Sequence, residues 1–328
     1  MKQLFKYCVI ILCLTSWMPI CAAQDKFELK IGYIPLAIQL PLIVSYENDR
    51  FNLESVELQL YKYNKYTSVE AAFRVGAIDA AVIPFPIILS IASDSLEKQL
   101  CQISILGAVH QGGSFLASKM SDNQEDLKGS LIGLSGLDSM ENYLLIDYFG
   151  KINMRYGMEY KTIGIPFNTA VYYLSINKLN AIFLPEPYGT LAVQKGIAKP
   201  VIGQTNILTG TFNTALIIRS SLLDTHPEAI TEWLKSVVHA CQFIEHDIKT
   251  SKAMQTAIIQ TTYFDFPKEI IVESLVERRG GLKFDEYLFD PIVLEKLFQK
   301  ASELKFIMKS VDIKTLCRFD LIKSIINK

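Results

Sequence analysis

Two stretches of this chain, 101 residues apart, carry the same pattern. Residues 68–86 read SVEAAFRVGAIDAAVIPFP, and residues 169–187 read TAVYYLSINKLNAIFLPEP. One constant offset lays Ile78-Asp79-Ala80 on Leu179-Asn180-Ala181, Pro84 on Pro185 and Pro86 on Pro187. Without a gap it also lays Ile31-Gly32 on Ile132-Gly133. A doubled helix-to-strand unit of this kind predicts two similar α/β lobes. Each lobe then presents one residue between its prolines, Phe85 in the first and Glu186 in the second.

The flanking segments complete each unit. Residues 27–33 alternate as a strand, Pro35 and Pro41 bracket a loop, and a helix is expected over 42–51. Residues 56–61 alternate again. Thr67 and Glu70 have the spacing of a capping box, with Val69, Ala72 and Phe73 on one helical face. A short apolar strand over 79–83 follows, giving the strand–helix alternation of a parallel sheet. A helix over 91–98 and strands over 102–109 and 114–118 come next, separated by Gln111-Gly112-Gly113.

The second unit repeats the order. It has strands at 131–134, 163–166 and 181–184, a helix capped by Asp138 or Ser139, one capped by Asn168, and one over 188–195. After a strand at 215–219 the pattern turns helical. Pro227 opens a helix with Ile230, Trp233, Leu234, Val237 and Cys241 on one face. Further helices are expected near 251–262, 267–278, 291–300 and 317–326. This tail has too little strand pattern for a third lobe and is expected to pack on the first.

The first 23 residues read as a leader. Lys2 and Lys6 precede a largely apolar run, and Cys21-Ala22-Ala23 offers small residues for cleavage. Thr15, Ser16 and Pro19 interrupt the run, which is shorter than the roughly 20 apolar residues of a membrane span. Cleavage after Ala23 and export are therefore expected. Losing both lysines moves the balance from 33 basic against 34 acidic side chains to 31 against 34. That leaves no basic footprint for nucleic acid. Cys101, Cys241 and Cys317 remain, an odd and widely spaced set that allows at most one disulfide and suits no metal.

Ligands of open parallel sheets bind beyond the carboxyl ends of the strands. Here those ends are 34–39, 84–86, 135–141 and 185–188. They make Pro35, Gln39, Phe85, Ser135, Ser139, Glu186 and Tyr188 candidate ligand contacts, with Gln111 on a lobe crossing. Ser139 at a helix start offers an anion site, but Glu141 in the same turn would oppose a bound anion. Crossings near 111–114 and 210–213 are rich in small polar residues and suit hinges. GLSG at 133–136 is not a nucleophile elbow, and P-loop, dinucleotide and zinc-protease motifs are missing.

Five segments resemble one family in order and spacing. They are IGYIPLAIQLPLIVSYENDRF, VGAIDAAVIPFP, DLKGSLIGLSGLDSMENYLL, LNAIFLPEPYGTLAVQKG and LIIRSSLLDTHPEAITEWLKSVVHA. The family is that of substrate-binding proteins of bacterial ABC importers, in the nitrate, sulfonate, taurine and thiamine-precursor group. The resemblance implies a type II periplasmic-binding-protein fold: signal peptide 1–23, lobe one 27–112 plus 209–328, and lobe two 113–208. It implies a periplasmic monomer that closes on a small polar or anionic ligand and is read by an ABC permease in the inner membrane. Neither cofactor nor metal is implied, and no catalysis.

Family contacts would fall on the Pro35–Gln39 loop, on the residues after Ile83, on 135–139 and on Glu186. The chain departs from the family at Asp49-Arg50-Phe51, at Asn180 and by having no His near Glu141, which leaves the ligand open. The cysteine motif of pyrimidine-precursor synthases is missing, against an enzyme of that branch. A ligand-sensing module on the same fold is the other alternative.

Overall fold

The structure is a computed structural model that describes residues 26–98, 101–119, 121–303 and 311–327. The expected leader lies outside the described residues. The first unit runs β1 (Phe27–Tyr33), α1 (Leu40–Asp49), β2 (Val56–Lys62), α2 (Tyr66–Arg74), β3 (Ala80–Pro84), α3 (Phe85–Lys98) and β4 (Ile103–Gly107). The second begins with β5 (Ser114–Ser118), β6 (Ser130–Leu134), α4 (Met140–Lys151), β7 (Tyr160–Gly164) and α5 (Phe167–Ser175). It ends with β8 (Ala181–Pro185), α6 (Tyr188–Gln194), β9 (Lys199–Gly203) and α7 (Gln204–Ile207). The chain returns through β10 (Thr214–Arg219) to helices α8 (Ser221–Thr225), α9 (Pro227–Ser251), α10 (Met254–Gln260), α11 (Lys268–Glu277), α12 (Pro291–Glu303) and α13 (Phe319–Ile326).

The strands form two five-stranded sheets of matching order, β2-β1-β3-β10-β4 and β7-β6-β8-β5-β9. In each, four strands run parallel and one, lying fourth in the order, runs antiparallel to both its neighbours, having crossed from the other unit. The 101-residue offset is a structural repeat down to single hydrogen bonds. In the first sheet Ile31 lies beside Ala80, and in the second Ile132 lies beside Ala181. The Lys30 N–H donates to Asp79 Oδ2 at 3.1 Å, and the Leu131 N–H to Asn180 Oδ1 at 2.8 Å. A methyl group added at Gly32 would meet Ile78 at 2.5 Å, and one at Gly133 would meet Leu179 at 2.7 Å. Each glycine thus leaves room for the side chain of the turn residue that leads from helix into strand.

Several element starts differ from expectation. Helix α3 begins at Phe85 rather than near 91. Pro84 ends β3, and Pro86 falls in the helix's first turn, where its missing N–H breaks no helical bond. Helix α2 begins one residue before Thr67, so no capping box forms. Glu70 pairs instead with Arg74, one turn on, at 2.7 Å. Helix α5 is entered from Pro166, which confines β7 to Tyr160–Gly164, and Asn168 accepts only from the adjacent Thr169 N–H. Ser139 does cap α4, accepting from the Asn142 N–H at 3.3 Å.

The tail does not keep to the first unit. Helices α9 and α13 pack there, against α1 and β4, whereas α11 packs on α6 and α12 on α4 of the second. Phe298 of α12 meets Tyr143 of α4 edge-on, with ring centroids 6.4 Å apart. No disulfide joins Cys101, Cys241 and Cys317.

Candidate functional site

A cleft of about 570 Å3 separates the two sheets at the carboxyl ends of β3, β6 and β7. One wall is the turn into α2, with Lys65 and Tyr66, together with Pro84 and Ile87. The other combines residues 135–139 with Ile163, Ile165, Pro166 and Phe167. Tyr66 and Phe167 are the first residues of α2 and α5, elements equivalent under the 101-residue offset. The same α/β turn, used twice, therefore sets one aromatic ring on each side of the cleft.

Of the expected contacts, Ser135 and Ser139 line this cleft. The others are placed elsewhere. Phe85 is fully buried, edge-on to Phe289 at 4.9 Å, and packs core. Its counterpart Glu186 is equally buried and turns onto its own helix, accepting from the Thr190 hydroxyl at 2.8 Å and the Thr190 N–H at 3.1 Å. Burial pushes its carboxyl up to about 7, against the lowering effect of Thr190 and Arg279. Gln39 is buried too, taking the Ile34 N–H on Oε1 at 3.3 Å and donating from Nε2 to the Val82 carbonyl at 2.9 Å. It locks the β1 exit loop onto β3. Pro35 is half-buried in that loop. Tyr188 stacks on Phe167 at 5.1 Å and so backs a wall residue. Gln111 pairs its backbone with Lys283.

Past Tyr66, Pro84 and Ser135 the cleft narrows to a space of about 10 Å3, bounded also by Glu141, Pro185 and Asn213. Its polar groups are buried. Glu141 Oε1 accepts from the Ser114 hydroxyl at 2.8 Å and from Asn213 Nδ2 at 3.0 Å. Asn213 Nδ2 also meets Ser114 Oγ at 2.9 Å, while Asn213 Oδ1 is buried with no protein partner. Burial holds the Glu141 carboxyl above its ordinary value, against hydrogen bonds from Ser114, its own backbone N–H and Ser139. The Tyr66 hydroxyl contacts Gln39, and Glu141 raises it further above the usual phenol range that burial has already left behind. Local sequence does not single out Tyr66 or Phe167, and it marks Asn213 only as part of a crossing. The repeat offset pairs the first two, and so carried the signal.

Ser114 and Asn213 stand at the ends of the two crossings, so the floor of the cleft is built where the chain passes between the lobes. The crossings bond to each other through the Gly112 N–H and the Thr211 carbonyl at 3.2 Å. Beside them His110 is buried between the Gly112 carbonyl at 3.0 Å and Thr214 Oγ1 at 2.6 Å. Burial lowers its imidazole to about 4, so the ring is neutral. The segment after α11 straps the first crossing: Gln111 and Lys283 exchange backbone hydrogen bonds, and the Gly113 N–H reaches the Gly280 carbonyl at 3.1 Å. Among the described residues no group of three or more His, Cys, Asp or Glu could hold a metal, and no helix is long and apolar enough to cross a membrane.

Residues 22–260 match the model of the NMT1-like family. The chain is 23% identical over 264 residues to the bicarbonate transport ATP-binding protein CmpC of Synechococcus elongatus, covering 75% of this chain and 40% of that one. It is 21% identical over 238 residues to the nitrate import ATP-binding protein NrtC of Synechocystis, covering 67% of this chain and 35% of that one. The chain thus spans about two fifths or less of these relatives. The periplasmic nitrate-binding protein NrtA of Synechocystis superposes with a TM-score of 0.80 at 15% identity, covering 92% of this chain and 89% of that one. The aliphatic sulphonate-binding protein SsuA of Escherichia coli gives 0.69 at 16% identity, with coverages of 88% and 91%. These likenesses establish a type II periplasmic-binding fold of two α/β lobes and a helical tail.

Proposed function

Because the chain belongs to the NMT1-like family, we propose that it is the solute-binding component of an ABC importer. It captures a small polar ligand between its lobes and presents the closed form to a membrane permease. The observation that carries this reading is the cleft of about 570 Å3 walled by matching helix starts from both lobes, with the crossings directly beneath it. Contacts from both walls favour the closed arrangement by differential affinity, which couples occupancy to shape. Work in the periplasm after cleavage at Ala23 is part of the proposal, supported by the basic-then-apolar leader. So is a role in binding rather than catalysis, supported by the named functions of the superposed proteins.

Small-angle scattering and thermal unfolding of the purified protein against a panel of small polar solutes test the reading. A true ligand at 100 times its Kd adds about 2.7 kcal/mol of stability and reduces the radius of gyration. A ligand that binds in the cleft without any change of shape would overturn closure as the mechanism.

A further inference from the structure

Helix α4 aims its N-terminus at the floor of the cleft, and a helix start with open N–H groups is an anion site. In this protein that site is already filled. Ser139 Oγ takes the Asn142 N–H, and the carboxylate of Glu141, in the first turn of the helix, takes the Ser114 hydroxyl and Asn213 Nδ2. The protein's own carboxylate stands where an anionic ligand would be held. Asn213 points the same way. Its Nδ2 faces a carboxylate oxygen and a hydroxyl, which fixes that atom as the nitrogen and leaves Oδ1 as a buried acceptor with no protein partner. Glu141 and Asn213, 5% and 4% exposed, thus offer acceptors to a space that holds about one non-hydrogen atom.

Charge on the cleft walls agrees. Lys65 is the one cationic side chain among the lining residues, set against Glu70 and Asp138 at the rim and Glu141 below. Arg74, next to Glu70, is taken by Glu70 and Asp94 at 2.7 and 3.0 Å. The walls above the floor are mainly apolar, lined by Tyr66 and Ile87 from the first lobe and by Phe167, Ile163 and Ile165 from the second. An unpaired anion brought to this floor would be desolvated next to a like charge.

Resting on the binding-protein reading, we propose that the ligand is an organic cation. It inserts an ammonium or amidinium N–H between Glu141 and Asn213 Oδ1, with its apolar body between Tyr66 and Phe167. The consequence for mechanism follows from the partners of Glu141: a ligand nitrogen on that carboxylate bears directly on Ser114 and Asn213, one residue on each crossing, so binding and hinge share a single hydrogen-bonded cluster.

Titration calorimetry, thermal unfolding and small-angle scattering with benzylamine and benzamidine, against benzoate, benzenesulfonate and nitrate, test the proposal. The two cations are expected to bind saturably and compact the protein, and the three anions to do neither. Glu141→Gln, which keeps the acceptor for Ser114, is expected to weaken cation binding at least tenfold while unfolding cooperatively without ligand. If an anion binds and compacts the protein, the ligand class is wrong and the binding-protein reading stands. If neither class binds, the organic-cation assignment falls, and the binding-protein reading is decided by the wider panel of polar solutes. If Glu141→Gln binds the cations as tightly as the parent, the assignment of Glu141 is overturned.

Discussion

Two buried titratable side chains pull the pH dependence of stability in opposite directions. Glu186 rises from the ordinary 4.5 to about 7 in the folded protein, so across that window the folded form keeps a proton that the unfolded chain has lost. Its contribution to stability therefore falls as pH rises from 4.5 to about 7 and is level above. His110 drops from 6.5 to about 4, so the unfolded chain takes up the proton first, and stability is lost on acidification from 6.5 to 4. The two slopes oppose each other in wild type. Glu186→Gln is expected to gain stability relative to wild type at pH 8 compared with pH 5, and His110→Gln to gain relative to wild type at pH 4.5 compared with pH 7. Urea midpoints measured at these pH values check both. Glu186 also shows where sequence stops being legible. Its position at a strand end was correct, but the side chain answers to Thr190 one helical turn away, and burial of that turn is a tertiary fact. Asn180 is the reverse case. Its counterpart Asp79 faces Arg219 at 3.8 Å, whereas the residue equivalent to Arg219, Lys119, sends its Nζ to the Ser175 carbonyl at 3.2 Å, so a neutral amide serves at 180.

Helix starts carry most of the site, and local sequence marks them unevenly. Ser139 was legible as a cap because a turn at Gly136 precedes it and an apolar helix follows. Thr67 fits the same local rule, yet α2 begins before it and Arg74 claims Glu70. The deciding interaction lies downstream of the pattern that a capping rule examines. Ser139→Ala is accordingly expected to cost about 1 kcal/mol of stability, and Thr67→Ala to change little, since no capping bond is lost. Chemical denaturation of the two variants side by side makes the comparison. The aromatic pair at the cleft follows from this scale as well. Tyr66 and Phe167 open equivalent helices, so the offset that aligns the prolines also aligns the walls, 18 residues upstream of Pro84 and Pro185.

At the scale of the molecule, two α/β units and a helical tail were visible in strand periodicity and turn residues alone. The tail's reach was not, because α11 and α12 are amphipathic in the ordinary way and their periodicity does not name the surface they cover. With α12 seated on α4 through Phe298, the lobes are tied by more than their crossings. Phe298→Ala is expected to lower unfolding free energy by about 3 kcal/mol, readable by denaturation; a loose appendage would show almost no change. The antiparallel strands have a different consequence, in the order of assembly. β10 lies between β3 and β4, but residues 214–219 are made only after the whole segment between them and β4. A chain growing from its N-terminus thus holds β3 and β4 as open edges until the second lobe has been synthesised, while that lobe has all five of its strands in one continuous stretch. The second lobe is the natural first product of folding, and the first lobe, though earlier in the chain, closes last, around a strand delivered from the far side of its partner.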